Sequence, residues 1–514
     1  MAQCVRRLVL AAPLAAVVAL LLCTSSAPVA RAAGTSDFTG AQQKNTLTVL
    51  RAFARAIPAL GSTWTGSDFC SWDFVTCNVT GASVLGMDAR YIGTLPEMPS
   101  GVDYTNVMIT ALDFGAMGQG LSGTLPDSWG KLVLLTELTF SGNNVSGTLP
   151  PQWSSMTRLR ELWIDDCGRM TGGLPHEWGS MPELRTLLLR HLQLSGTLPP
   201  EWAAMPSLQT LEMTAAGGIT GTLPPGWSSM RSLTKLFINY SLITGTLPTQ
   251  WSSMKGLRIL SVMRSQVFGR LPPQWSSMKS LTTLNLQGTQ VSGTLPTQWS
   301  SMKSLSFLYL RRTQVSGTLP RQWSSMKSLT LLVMQRTKVS GTLPPEWSSL
   351  KSLTLLSLRL TQVSGTLPPE WSSMTALTIL ALQYSQVSGT LPAAWSSMST
   401  LKTLALQHTK VSGTLPPQWS GMTSLEILKL DNCHLSRVMP SSWSSIPNLR
   451  LISLSGNSLC GCVPKSWAKK PGLDVVIEDA HKGSICLLIN ACRPKAAPPP
   501  TTTRAWNSAN AYET

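Results

Sequence analysis

Histidines, paired carboxylates and cysteines are the residues here whose chemistry has to be tested first. His176, His191, His408, His434 and His481 are scattered, and no metal-ligand spacing, nucleophile elbow or phosphate loop accompanies them. Asp165 and Asp166 are adjacent, as a general acid and base pair can be, but they read as a solvated strand end. Serines abound because a repeat copies them. No catalytic residue, metal or cofactor is assigned, so the chain reads as a non-enzyme. Cross-linking and surface recognition remain.

Cysteine chemistry depends on the compartment. Arg6 and Arg7 precede a nearly uninterrupted apolar run, Leu8 to Leu22, and Ala30-Arg31-Ala32 supplies small residues for cleavage after Ala32. The run is shorter than the ~20 residues needed to span a bilayer. A secretory signal over 1–32 therefore predicts an extracellular product and oxidised cysteines. Cys4 and Cys23 leave with the signal. Cys70 is expected to pair with Cys77. Cys460, Cys462, Cys486 and Cys492 could hold zinc, but the compartment favours disulfides. The expected connectivity is Cys460–Cys486 with Cys462–Cys492, because a bond across one residue would be strained. Sequons at Asn78, Asn144 and Asn239 mark candidate glycosylation sites.

The elements that carry these residues come from a repeat. Fifteen tryptophans, from Trp129 to Trp467, recur every 24 residues, twice 25. A typical unit carries an S-G-T-L-P segment, a W-S-S-M-K-S-L segment and the skeleton L-x-x-L-x-L-x-x-T-x-V, as in Leu281, Leu284, Leu286, Thr289 and Val291. This is the leucine-rich repeat pattern and period. Leu284-Asn285-Leu286 predicts a short strand with one buried face, and stacking predicts a parallel sheet at ~4.8 Å per unit. Ser292-Gly293-Thr294-Leu295-Pro296 reads as a turn. Trp299, Met302 and Leu305, three apart, read as a helical turn packed on the core. Thr289, Thr313, Thr337, Thr361, Ser385 and Thr409 take the ladder position that Asn143 and Asn457 hold near the ends. Their polar groups are expected to satisfy buried backbone. Cys167 and Cys433 fall there too and read as buried structural thiols.

Composition agrees. The 514 residues contain 19 Trp against 9 Phe and 6 Tyr, and 43% are hydrophobic, which excludes wholesale disorder. Gly and Pro are too frequent for a helical bundle. The fold class is an α/β repeat solenoid, a leucine-rich repeat arc with a parallel concave sheet, about sixteen 24-residue units and disulfide caps at both ends. A helical stripe of Leu47, Leu50, Phe53 and Ile57, followed by Trp64, Cys70, Trp72 and Cys77, opens the stack. The expected division is signal 1–32, helical and disulfide cap 33–83, solenoid 84–458, Cys-rich cap 459–492 and a disordered Pro/Thr-rich tail 493–514.

The S-G-T-L-P segment and the W-x5-C-x-W-x4-C arrangement of Trp64, Cys70, Trp72 and Cys77 resemble plant-type leucine-rich repeats. The full unit, with P-x-W-S-S-M-x-S-L, is more specifically similar to the promastigote surface antigen family of Leishmania and related trypanosomatids, over roughly residues 1–500. That resemblance implies an exported repeat ectodomain, a Cys-rich cap, a Thr-rich stalk and usually a glycolipid anchor. It also implies a surface or shed antigen associated with complement resistance and with attachment to macrophages through complement receptor type three. The sequence departs from the family at its end. A stalk begins at Pro498 to Thr503 and no hydrophobic terminal stretch follows, so membrane attachment rests on an anchor not visible here.

Binding is expected where the units differ. Residues between the skeleton leucines predict a concave face bearing Glu137, Glu161, Trp163, Asp165, Asp166 and Glu212 early. Phe237, Tyr240, Arg264, Phe307, Tyr309, Arg311, Arg312, Arg336 and Arg359 follow, then Tyr384, His408 and Lys429. Arg and Tyr anchor protein interfaces. Lys255, Lys279, Lys303, Lys327 and Lys351 share another register and form a column suited to sulfated or phosphorylated glycans. The net charge of +17 becomes +14 once the signal's three Arg are removed. Export and the lack of a nucleic-acid motif argue against nucleic acid. The leading expectation is recognition of host proteins by the concave face. The alternatives are a glycan-binding coat using the Lys column, or an inhibitor of a host or vector hydrolase by analogy with plant-type repeats.

Overall fold

The computed structural model describes residues 35–87, 91–115, 120–483, 486, 490 and 492. The expected signal at 1–32 and tail at 493–514 lie outside the described residues. Two compact units divide between Ile219 and Thr220.

The unit around Trp299 shows how one repeat folds. Phe307–Tyr309 is a strand, with Leu308 and then Leu310 fully buried by the period-two alternation. It pairs in parallel register with Thr283–Asn285 before it and Leu331–Val333 after it. Thr297–Ser301 is a 3-10 turn that begins just after Pro296 and places Trp299 inside, where Trp299, Met302 and Leu305 are all 0% exposed. The indole ring explains why the position is Trp. Its Nε1 donates to the carbonyl of Pro272, one repeat back, at 2.9 Å. The side chain that fills the core also pairs its own buried N–H, on a carbonyl that accepts from Trp275 N–H as well. The rings of Trp299 and Trp323 lie 6.4 Å apart and 8° from coplanar.

In the first unit the helix Gly40–Ala56 begins on a capping box, in which Thr39 accepts from Gln42 N–H and Gln42 reaches back to Thr39. It buries Val49, Leu50 and Phe53, and Ile57 follows just beyond its end. Leu50, Phe53 and Ile57 thus hold the expected stripe and only its first member differs: Leu47 is half-buried and Thr46 is buried, with Thr46 Oγ1 accepting from Met108 N–H at 2.8 Å. Cys70–Cys77 is bonded as expected, beneath stacked Trp64 and Trp72. The hairpin Val75–Asn78 and Gly81–Val84 is antiparallel. Gly81–Val84 then starts a parallel ladder through Ile109–Phe114, Glu137–Ser141, Glu161–Asp165, Thr186–Arg190 and Thr210–Thr214.

In the second unit the parallel ladder runs from Lys235–Asn239 through Phe307–Tyr309 and Ile379–Ala381 to Asp474–Val476. The segment read as a turn is instead a strand of a second parallel sheet: Gln290–Thr294 pairs with Gln314–Thr318, and the pattern continues through Gln386–Thr390. Its glycine is required twice over. Gly317 has φ +76°, and a Cβ there would lie 2.8 Å from Thr294 Cγ2 of the preceding repeat.

The C-terminal cap corrects the expected pairing. The bonds are Cys460–Cys492 and Cys462–Cys486. The later segment runs back antiparallel to the earlier one: Gly461 N–H donates to Asn490 O at 2.6 Å and Val463 N–H to His481 O at 2.9 Å. A returning chain brings the first cysteine to the last, so the bonds nest rather than cross.

Candidate functional site

The ladder position is built from small polar groups with two reaches. Thr289, Thr313 and Thr409 donate their hydroxyls to carbonyls of their own repeat, Leu286, Leu310 and Leu406, at 2.7–2.8 Å. Asn143 Nδ2 reaches one repeat back to Phe114 O, and Asn457 Nδ2 spans both Leu430 O and Leu454 O. At this position the threonine hydroxyls donate to carbonyls of their own repeat, whereas asparagine also reaches the carbonyl one repeat back. The buried Cys433 thiol points back to Leu406 O at 3.3 Å, and burial pushes its pKa up. Burial pushes the Cys167 thiol up to about 11. Both are unpaired structural thiols.

On the first unit's sheet face, Glu161, Trp163 and Asp165 flank buried Leu162 and Ile164 as expected. The carboxylates are not simply solvated. Asp165 binds Arg190 Nη2 at 2.8 Å and His191 Nδ1 at 3.1 Å, and Arg190 Nη1 lies 3.9 Å from Glu212. Burial raises the Glu212 carboxyl above its ordinary value, with Arg190 opposing. Asp166 is the exposed member of the pair. Among the described residues no three His, Cys, Asp or Glu side chains form a metal set.

On the second unit's face, Phe237 and Tyr309 share one register column, Phe307 lies two residues before Tyr309 and Arg311 two after it. All four are half-buried, and burial raises the Tyr309 hydroxyl pKa. Tyr240, Arg264, Arg312, Arg336 and Tyr384 differ from the expectation. They do not sit between the skeleton leucines on the pleat. Each occupies a left-handed backbone position with φ 53–59°, one per repeat, in the same column as Leu360, His408 and Asn432. An L-residue there costs on the order of 1 kcal/mol. The conformation turns each N–H onto the next repeat's carbonyl, as in Arg312 to Gln335 at 2.9 Å and Tyr384 to Gln407 at 3.0 Å. The rung thus offsets the strain, and the column projects from the strand ends as a rim.

The rim side chains stack along it. The Arg264 guanidinium lies 5.5 Å from the Tyr240 ring, and Arg359 lies 5.8 Å from the Tyr384 ring. Tyr384 and His408 stack at 4.4 Å and 13°. Among the described residues no carboxylate forms an ion pair with Arg264, Arg311, Arg312, Arg336 or Arg359. Sequence reading placed these residues on one face but missed the rim. Its signal was a non-glycine residue three positions past each three-residue strand, aligned with Gly288 at φ +73°.

The lysine column is a row of braces. Lys255, Lys279, Lys303, Lys327 and Lys351 each donate Nζ to the carbonyl of a serine in the next repeat: Ser277, Ser301, Ser325, Ser349 and Ser373. Of the sequons, Asn78 and Asn144 are half-buried near strand ends, and Asn78 Oδ1 accepts from Thr80. Asn239 is only 8% exposed, and its Oδ1 accepts from Ser261 Oγ at 2.6 Å and Met263 N–H at 3.1 Å.

Similarity to known proteins agrees with this architecture. The leucine-rich repeat family model matches residues 134–156. Over 142 residues the chain is 76% identical to the surface membrane glycoprotein GP46/M-2 of Leishmania amazonensis, covering 28% of this chain and 30% of that protein. The match thus takes in under a third of that relative's length. A crystal structure of a TDR receptor is similar with a TM-score of 0.69 at 24% identity, covering 74% of this chain and 66% of that one. The plant peptide hormone receptor RGFR1, solved in complex with RGF2, is similar with a TM-score of 0.63 at 22% identity, covering 79% of this chain and 72% of that one. These two likenesses show the fold.

Proposed function

We propose, for a chain that is a leucine-rich repeat surface antigen of the promastigote surface antigen type, that it is a non-enzymatic extracellular recognition protein whose sheet face binds a host protein. The observation that carries this reading is the second unit's face. Phe307 and Tyr309 project from a strand and Arg311 from just beyond it, Arg312, Arg336 and Tyr384 stand on its rim, and among the described residues no carboxylate is paired to these arginines.

The mechanism is recognition by a pre-formed surface. Each rim residue is held by its own backbone rung, Tyr309 sits between fully buried Leu308 and Leu310, and Phe307 and Arg311 each adjoin one of these leucines. Little ordering cost is then left for binding. Arg and Tyr supply anchors with fixed geometry. The resemblance makes macrophage surface and complement-type receptors the partners to try first. The likeness to a receptor solved with a peptide hormone supports a protein or peptide ligand. A glycan-binding coat gains less support, because each column lysine already uses one N–H donor on a neighbouring carbonyl.

The test is capture of partners from macrophage surface extract by the full exported chain. A variant with Phe307, Tyr309 and Arg311 replaced by Ala is expected to lose the captured protein. A Lys→Gln variant at all five column positions is expected to retain it. The opposite result would overturn the reading in favour of the lysine column.

A further inference from the structure

We infer that the sheet face of the second unit carries a groove for an extended acidic polypeptide segment, running across the rows from Tyr309 to Ala405 and walled by Arg312, Arg336 and Arg359. The inference rests on the recognition reading above and gives that surface its ligand chemistry.

Three observations meet in these rows. The first is shape. The column that holds Tyr309 continues in register as Val333, Ser357, Ala381 and Ala405. Ser357 is 2% and Ala405 5% exposed, so the middle of the face is lined by small, covered side chains. Leu355 and Ile379 stand half-buried on one side of it, and Gln383 and Gln407 on the other.

The second is unanswered hydrogen bonding. Ser357 Oγ, Gln383 Oε1, Gln407 Oε1 and Arg311 Nε are buried atoms with no hydrogen-bond partner among the described residues. Buried polar atoms are otherwise paired in folded proteins. Here three of them, on Ser357, Gln383 and Gln407, fall on consecutive rows of a single sheet face, and the fourth, on Arg311, lies two rows earlier. Two are amide carbonyls that require an N–H or O–H donor.

The third is charge. No Asp or Glu occurs anywhere between Glu212 and Glu346. Arg312 and Arg336 lie within that stretch, and Arg359, between Glu346 and Glu370, has no carboxylate ion pair among the described residues. Their guanidinium forks match carboxylates bidentately, which a lysine cannot do.

An acidic peptide answers all three features at once. Its backbone N–H groups suit the Gln carbonyls, its carboxylates suit the arginines, and its aliphatic side chains suit Leu355 and Ile379. A sulfated glycan answers the arginines but offers nothing aliphatic to the leucine side. From Tyr309 to Ala405 is four strand spacings, ~19 Å, or about six extended residues.

The test uses the full chain and three probes: a labelled octapeptide alternating Glu and Leu, its Lys–Leu counterpart, and heparin. The Glu–Leu peptide is expected to bind and the Lys–Leu peptide not. Combined Arg312→Gln, Arg336→Gln and Arg359→Gln should weaken binding at least about tenfold. Ala381→Trp should do the same with every charge intact, because it fills the groove floor from the solvent side. Combined Arg→Lys at the same three sites should lose less than Arg→Gln, and circular dichroism melts should match the parent. The inference falls if the Glu–Leu peptide does not bind, if Ala381→Trp leaves its affinity unchanged, or if heparin binds and the peptide does not. If it falls while the Phe307, Tyr309 and Arg311 variant still loses its captured partner, sheet-face recognition stands and only the acidic-peptide groove is rejected.

Discussion

Lys303 Nζ donates to the carbonyl of Ser325, one repeat further on, at 3.0 Å. Ser325 closes the 3-10 turn that carries Trp323, and its carbonyl, which already accepts from Lys327 N–H at 3.0 Å, takes the ammonium as a second donor at the carbonyl end of that turn. The same contact recurs from Lys279 to Ser301 and from Lys327 to Ser349. A column that looks like a polyanion site in sequence therefore links neighbouring repeats.

The first prediction follows from that contact. The five-fold Lys→Gln variant should be less stable in urea, by roughly 0.2–1 kcal/mol for each exposed brace removed. Retention of a heparin column at low salt should fall only modestly. Loss of all heparin binding with no change in the urea midpoint would show that the lysines face a ligand rather than the neighbouring turn.

Trp299→Phe should destabilise the chain more than its small loss of area suggests. Phenylalanine keeps a ring in the core but leaves Pro272 O without the indole donor. Pro272 O still accepts from Trp275 N–H at 3.2 Å, so the polar loss is that of one net hydrogen bond, about 0.5–1.5 kcal/mol. Denaturant unfolding of this variant beside Met302→Leu, which removes no hydrogen bond, separates the polar contribution from packing.

The Cys167 thiol predicts an alkaline weakness. Burial disfavours the thiolate and pushes its folded pKa up to about 11, above the ordinary 9.0 of a free thiol. A raised folded pKa means that the folded chain holds the proton more tightly. The stability this contributes is fully present below pH 9 and is lost as pH rises through about 11. Urea midpoints measured from pH 8 to pH 11 should fall more steeply for the parent than for Cys167→Ala. At pH 8 the native thiol should resist alkylation and react only after unfolding.

Glycan mapping by mass spectrometry should find sugar at Asn78 or Asn144 and none at Asn239. The buried Asn239 amide accepts from Ser261 and Met263, and a glycan on it would push the strand away from its neighbour. Asn239→Gln should therefore leave the glycan mass unchanged while lowering the unfolding midpoint. A glycan found at Asn239 would contradict the register of Lys235–Asn239 against Ile259–Ser261.

Much of this was legible in the chain because a repeat states its physics fifteen times. Trp299, Met302 and Leu305 at three-residue spacing, and Leu308 and Leu310 at period two, settle which atoms are buried, since apolar periodicity and element geometry share a period. The parallel sheet follows, because identical units stacked in order have no other way to pair. The Thr and Asn ladder was legible too, but not that threonine serves its own repeat while asparagine reaches the previous one.

The rest depends on atoms that meet across repeats, which spacing does not encode. The nesting of Cys460–Cys492 over Cys462–Cys486 follows from an antiparallel return, whereas two cysteines one residue apart look equivalent in sequence. The S-G-T-L-P segment has the composition of a turn, yet stacking made it a strand because Gly317 lets it approach Thr294. Sequence by itself determined the core, the stacking and which positions vary. Tertiary structure alone decided that Lys303 braces a turn, that Asp165 is paired with Arg190, and that Arg312, Arg336 and Tyr384 leave the pleat to form a rim. Burial is a property of one residue and its period. Partnership is a property of two residues a full repeat apart, and it exists only once the chain has coiled.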